Sequence, residues 1–126
     1  MKPPAHLDPL QQLATLELLS EDWDGYGAVP PTTVALKEAR RLIRDVQRGA
    51  TTQIPEASPY DVSPVPSGGI AIEWRGRSET LQLEVGPGGQ LGYLLIVNGS
   101  DGRQFAEEEN VPPIQVAKLL QQVLRS

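Results

Sequence analysis

The sequence predicts an α+β fold, and three observations carry that prediction. Apolar residues recur at helical spacing before residue 47 and again after residue 110. Between residues 70 and 97 apolar and polar residues largely alternate, as in half-buried strands. Short turns rich in Gly and Pro separate the alternating segments, and such turns join antiparallel neighbours. We expect two N-terminal helices, an antiparallel β-meander of four or five strands and a C-terminal helix, with the helices on one sheet face.

The first helix has a recognisable start. Asp8 is a favourable N-cap, and Pro9 suits the first helical position. A wide apolar face follows, and we expect this helix to end near Ser20 or Glu21, before a Gly-containing segment.

The second helix is predicted from a Pro-Pro-Thr-Thr run at 30–33 to Gly49, a residue favoured just past a helix end. Its apolar stripe comprises Ala35, Ala39, Leu42, Ile43 and Val46. The C-terminal helix is expected to begin within residues 110–113.

The predicted strands differ in how they are covered. They are a short edge strand at 60–63, strands at 70–75, 80–85 and 91–97, and a last strand at 103–107. The segment 91–97 is apolar on both faces, so it needs cover on both sides. That cover is either another part of the chain or a second chain, because an exposed apolar patch indicates an interface.

Length and charge restrict the class of protein. The 126 residues suit one domain over 1–126, with a flexible arm at 1–7 and a Pro-rich connector at 50–66. The chain lacks Cys, an apolar signal core and a membrane-length apolar run. We therefore expect a soluble cytoplasmic protein that does not contact membranes. The net charge of −5 makes nucleic acid an unfavoured partner.

Residues 22–28, with the sequence Asp-Trp-Asp-Gly-Tyr-Gly-Ala, connect the two predicted helices. One interpretation makes Asp22 and Asp24 a carboxylate pair for acid–base chemistry or metal binding. The other makes them turn-capping residues, with Trp23 inserted between the helices. The second interpretation is favoured, because Asp and Gly at a turn already have a local structural role.

A basic stripe runs along the second helix: Lys37, Arg40, Arg41, Arg44 and Arg48 share one face opposite the apolar one. Such a stripe can dock an acidic protein or a nucleic-acid backbone. It can also be an ordinary solvated helix face that pairs with nearby carboxylates, and this interpretation is favoured.

Motifs for catalysis and cofactor binding are missing from the sequence. The only histidine, His6, lies in the predicted arm. The Gly-rich segments 86–89 and 99–102 each join two strands, whereas a phosphate-binding loop leads from a strand into a helix. The sequence therefore predicts no enzyme, no cofactor and no metal site.

Two motifs carry a resemblance to known proteins. Trp23-Asp24-Gly25-Tyr26-Gly27-Ala28, followed later by Gly68-Gly69-Ile70-Ala71-Ile72-Glu73-Trp74, resembles a group of small uncharacterised bacterial proteins. These proteins share W-D-G-x-G-A and then G-G-I-x-x-E-W, and the similarity spans about residues 13–97. The resemblance implies a bacterial source and an accessory gene beside mobile or defence systems. It implies no activity and no catalytic residue.

The sequence as a whole predicts a non-catalytic protein–protein interaction module. With the resemblance, it suggests a small bacterial accessory subunit of antitoxin, immunity or defence-system type. Its predicted partner is another protein, with a homodimer through the sheet as a further partner hypothesis. Trp, Tyr and Arg are enriched in binding hot spots. The expected contacts are Trp23, Asp24, Tyr26, Lys37, Arg40, Arg41, Arg44 and Arg48. The alternatives are a nucleic-acid-associated protein that uses the second helix and a hydrolase around Asp22 and Asp24.

Overall fold

The computed structural model describes residues 8–49 and 59–125, so the predicted arm at 1–7 and much of the predicted connector lie outside the described residues. The elements are α1 (Pro9–Leu16), α2 (Thr33–Gly49), β1 (Asp61–Val65), β2 (Gly69–Arg75), β3 (Glu79–Val85), β4 (Leu91–Gly99), β5 (Gly102–Glu108) and α3 (Pro113–Leu124). The predicted α+β class is confirmed. The helical part before the sheet comes in two pieces, and one helix follows the sheet.

The five strands form one antiparallel meander in the order β1-β2-β3-β4-β5. The predicted edge strand is β1, and β5 forms the opposite edge. One row across the sheet joins Val62, Ile72, Leu83, Tyr93 and Glu108, each opposite the next. Since successive strand residues point to opposite faces, this row defines one face, which we call the inner face.

The core lies between the inner face and the helices. Apolar side chains of β2 and β3 pack with apolar side chains of all three helices. The strand residues are Ile70, Ile72, Trp74, Leu81, Leu83 and Val85. The helix residues are Leu13, Ala35, Ala39, Ile43, Val116, Leu120 and Val123. Trp74 is fully buried in this cluster. The helices contact β1, β2 and β3 most extensively, which leaves β4 and β5 at the margin of the core.

The opposite side of the sheet, the outer face, is not covered by any helix among the described residues. Its β2 and β3 positions are polar or small, and all except Gly69 are at least partly exposed. In β4, Tyr93 and Leu95 point inward, whereas Leu94 and Ile96 point outward, as the register requires. Within the described part of the chain, the strand that is apolar on both faces, β4, is therefore covered on its inner side and not on its outer side.

The first helix is shorter than predicted. It ends at Leu16, and the amides of Glu17, Leu18 and Leu19 bond to carbonyls three residues earlier, which tightens the last turn. Leu18 is 84% exposed, so the apolar face that predicted a longer helix is not buried there. The start is as predicted, because the Asp8 side chain accepts a hydrogen bond from the Leu10 amide.

None of the described helices has both the length and the apolar composition required to cross a bilayer.

Candidate functional site

The two carboxylates of the 22–28 segment bond to the segment's own backbone. Asp24 Oδ1 accepts hydrogen bonds from the amides of Tyr26 (2.8 Å) and Ala28 (3.1 Å). Asp22 Oδ1 accepts one from the Gly27 amide at 2.6 Å. Asp22 also has a positive φ of 62°, a conformation that Asp tolerates better than most residues. This arrangement corresponds to the capping interpretation, since both carboxylates fold the turn.

The aromatic residues of the segment have different environments. Trp23 is half-buried, and its Nε1 donates a hydrogen bond to the Val29 carbonyl at 2.9 Å. Tyr26 is 92% exposed. Among the predicted loop contacts, Trp23 and Asp24 thus have structural partners within the chain, and Tyr26 presents a free aromatic ring to solvent.

The chain after this loop is bonded to the β1–β2 turn and to the β3–β4 turn. Val29 bridges Ser67, the Thr32 amide donates to the Gly68 carbonyl at 3.0 Å, and the Thr32 hydroxyl donates to the Pro87 carbonyl at 2.7 Å. The same hydroxyl caps α2 by accepting from the Ala35 amide. The two sequence motifs therefore meet in space, one leading into α2 and the other into β2.

The basic stripe on α2 is partly neutralised. Arg40 pairs with Glu17, and Arg41 pairs with Glu38 and with Asp45, at 3.0 Å for the latter. The hydrogen bond to Glu38 is the main cause that raises the pKa of Arg41. Exposed ion pairs of this kind are worth little free energy, yet they occupy two of the five cations.

The remaining members of the stripe, Lys37, Arg44 and Arg48, are exposed. None of them forms an ion pair with another described residue. The structure therefore places all five predicted basic residues on the helix, and three of them have no ion-pair partner in the described part of the chain.

A site that the sequence analysis did not select lies on the outer face. Ile96 stands directly opposite Phe105 on β5, and Leu94 lies two residues along β4 on the same face. Phe105 is 62% exposed, and the other two side chains are half-buried. We call these three residues the apolar strip.

The outer face also carries charged side chains. By strand alternation the outer face carries the acids Asp61, Glu73, Glu84 and Glu107 and the bases Arg75 and Arg103. Arg75 bonds to Glu73 at 2.5 Å and stacks on the Tyr60 ring, 3.4 Å from its centroid. On the strands that form or flank the strip, three outer-face charges have no ion-pair partner among the described residues: the carboxylates of Glu84 and Glu107 and the guanidinium of Arg103.

A shallow depression of about 590 Å³ opens at Gly92, where a missing side chain leaves a gap in β4. Glu84, Glu107 and Glu109 line it with Leu94. A Cβ at Gly92 would stand 3.2 Å from the Glu108 carbonyl oxygen, so the close approach of the backbone at 108–109 favours glycine. The depression continues the acidic part of the outer face.

On the inner side of the same margin, the Tyr93 hydroxyl donates to Glu108 Oε1 at 3.0 Å, and Gln115 donates to the same oxygen at 3.3 Å. Burial first, and the bond to Glu108 second, raise the pKa of Tyr93 above its usual value. These contacts connect β4, β5 and α3.

Within residues 8–49 and 59–125, no three His, Asp or Glu side chains are arranged to hold a metal ion. His6 lies outside the described residues.

No family model matches this chain, and neither the curated proteins nor the solved structures include a significant match to it.

The apolar strip had a partial signal in the sequence. The segment 91–97 was expected to need cover on two faces, and its outward side chains form two-thirds of the strip. Phe105 was assigned to the last strand, but its position beside Ile96 required the register of β4 against β5. The loop and helix residues were selected because of their chemical type, which does not reveal whether they are already bonded within the chain.

Proposed function

We propose that this chain is a non-catalytic protein-binding module whose contact surface is the outer face of the sheet. The observation that supports the proposal is the apolar strip of Leu94, Ile96 and Phe105, which no helix covers in the described part of the chain. Apolar side chains grouped on an open sheet face are typical of interaction surfaces.

The charges around the strip suggest the chemistry of the partner. Glu84, Glu107 and Glu109 surround the depression next to Leu94, so a partner segment with an apolar anchor flanked by Lys or Arg would complement this surface. Such interfaces commonly combine an apolar centre with a charged rim. The resemblance of the two motifs to small bacterial proteins is what suggests an accessory subunit of antitoxin, immunity or defence type.

The proposed contact surface differs from the one expected from the sequence. Trp23 and Asp24 have hydrogen-bond partners in the loop or directly after it. Arg40 pairs with Glu17, just after α1, and Arg41 pairs with residues of α2. Recruiting these groups to a partner would first require existing bonds to be broken. Lys37, Arg44, Arg48 and Tyr26 remain the exposed part of that surface.

Capture of the tagged chain from the lysate of its own organism tests the proposal with four proteins in parallel. These are the wild type, Ile96→Lys on the strip, Arg44→Glu on the basic stripe, and Leu18→Lys as an exposed apolar control off the sheet. We expect a stoichiometric protein partner that is lost only with Ile96→Lys. Far-UV circular dichroism checks that every variant is folded.

The other outcomes contradict the proposal in distinguishable ways. Loss of the partner with Arg44→Glu and retention with Ile96→Lys would transfer the binding surface to α2. Capture that disappears after nuclease treatment, with a steep salt dependence, would support the nucleic-acid alternative. Absence of any partner with all four proteins would remove the interaction-module proposal.

A further inference from the structure

Among the described strands, β5 is an unpaired edge of the sheet. All seven of its residues are exposed, and the strand order places it at the end of the meander. An exposed edge offers unpaired backbone N–H and C=O groups to another strand. The opposite edge, β1, is less open, because it contains Pro64 and packs against α1.

The register identifies which backbone groups are free for pairing. Gly99 and Gly102 close a two-residue turn, so they form a hydrogen-bonded pair. The pairing continues without a bulge to Glu108, and hydrogen-bonded and non-bonded pairs alternate along it. The N–H and C=O groups of Arg103, Phe105 and Glu107 therefore point away from β4.

The side chains of the same three residues lie on the outer face, and their order is self-complementary. If two copies of β5 pair antiparallel about a two-fold axis at Phe105, Phe105 lies opposite Phe105 of the other copy. Arg103 then lies opposite Glu107 of the other copy, and the reverse pair forms by symmetry. Each of these pairs exchanges two backbone hydrogen bonds.

We propose that the occupant of the β5 edge is a second copy of this chain, giving a symmetric dimer with a ten-stranded sheet. Opposite charges face each other across the new pairing, and aromatic rings meet at its centre, both of which stabilise antiparallel pairs. Charges on an edge strand usually prevent association. Here their signs are opposite at symmetric positions, so they favour only the self-complementary register.

The surroundings of β5 permit this pairing. The described helices pack chiefly over β1, β2 and β3, so they leave the space beside the edge open along most of its length. Neither Arg103 nor Glu107 forms an ion pair with another described residue, which leaves both charges available. Because the interface is essentially one strand wide, we expect a weak dimer.

Pairing at the β5 edge does not depend on the proposed function of the outer face. The apolar strips of the two copies would become neighbours through Phe105, and a surface on β4 would remain available in each copy. The variants that test the edge differ from those that test the face.

Sedimentation equilibrium of the purified chain over a range of concentrations tests the dimer by charge reversal. We expect a monomer–dimer equilibrium in the wild type. Arg103→Glu and Glu107→Arg should each weaken it about tenfold or more, because two like-charged pairs are created. The double variant with both changes should restore the dimer to within about threefold of the wild type. Arg77→Glu, an exposed residue in the β2–β3 turn, is the matched charge control and should have no effect.

A cross-linking experiment tests the register independently. The chain contains no cysteine, so Phe105→Cys introduces one thiol per copy. Residues directly opposite in an antiparallel pair are close enough for a disulfide. Mild oxidation should give a covalent dimer with Phe105→Cys and not with Tyr26→Cys, which places the thiol on a highly exposed loop.

A wild type that stays monomeric at all concentrations would overturn the proposal. A dimer that is insensitive to both single reversals, or that the double variant does not restore, would overturn this edge pairing and its register. Equal cross-linking of the two cysteine variants would have the same consequence.

Discussion

The indole Nε1 of Trp23 donates a hydrogen bond to the carbonyl oxygen of Val29, 2.9 Å away. This bond closes the loop between α1 and α2 across six residues and directs the chain into its bridge with Ser67. A residue that could have been a binding contact is therefore part of the link between the helices and the sheet.

Trp23→Phe should reduce the free energy of unfolding by about 1 kcal/mol, since a smaller aromatic ring still occupies the site while the hydrogen bond of the indole is lost. Trp23→Ala should cost less than the roughly 3–5 kcal/mol expected for a fully buried residue such as Trp74. Urea unfolding measures both changes. Tyr26→Ala is the control from the same loop and should stay within about 0.5 kcal/mol of the wild type. An unchanged stability of Trp23→Phe would contradict the role of this bond.

Asp24 stabilises the loop through a single carboxylate oxygen that accepts hydrogen bonds from two backbone amides. Asp24→Ala should destabilise the chain by about 1.5–3 kcal/mol, because hydrogen bonds to a charged acceptor are the stronger class. Asp24→Asn keeps an oxygen in place and should cost clearly less. Thermal or urea unfolding gives the ranking, and Glu21→Ala, an exposed acid nearby, controls for the loss of charge. Equal effects of the Ala and Asn changes would argue against this acceptor role.

The adjacent glycines Gly68 and Gly69 are required for different reasons. Gly68 has a φ of +99°, which favours glycine by conformation. Gly69 has no such angle, but a Cβ there would overlap the carbonyl oxygen of Val85. Gly69→Ala should therefore cost about 1–3 kcal/mol through a forced backbone shift.

Gly99→Ala is the matched control for that substitution. Gly99 is also a strand glycine without positive φ, and its Cβ would lie 3.7 Å from the nearest backbone oxygen, at ordinary contact distance. Gly99→Ala should therefore change the free energy of unfolding by less than about 1 kcal/mol. If the two variants unfolded at the same denaturant concentration, the close approach at Gly69 would not limit stability.

Because of Tyr93, the free energy of unfolding should decrease as the pH becomes alkaline. Burial and Glu108 raise its native pKa above the ordinary value of about 10, so the fold favours the neutral phenol. This contribution is fully present below the unfolded-state pKa and is lost as the pH rises through the native pKa.

Absorbance at 295 nm follows the ionisation of the three tyrosines. Tyr93→Phe should remove a late component, the one with the raised pKa, and flatten the decline of stability above about pH 10. Tyr26→Phe should leave that late component in place. A late component that persists in Tyr93→Phe would assign it to another residue.

Much of the fold was predictable because local patterns are strong in this chain. The Asp8-Pro9 start and the alternation in β2 and β3 each depend on a few neighbouring residues, and each is observed close to its predicted bounds. The predicted end of α1 was wrong, since Leu18 belongs to an apolar pattern but has no surface to pack against in the described structure. The position at which α1 ends therefore depended on tertiary contacts, which a local apolar pattern does not reveal.

The sequence by itself determined the α+β class and the antiparallel strands and favoured turn capping in the 22–28 loop, because these follow from periodicity and from hydrogen bonds between residues close in the chain. Only the tertiary structure decided which side of the sheet the helices cover and which charges are paired. It also decided which residues stand opposite one another at the β5 edge. Those features depend on strand register and on packing between distant segments, where a shift of one residue would turn every side chain to the other face.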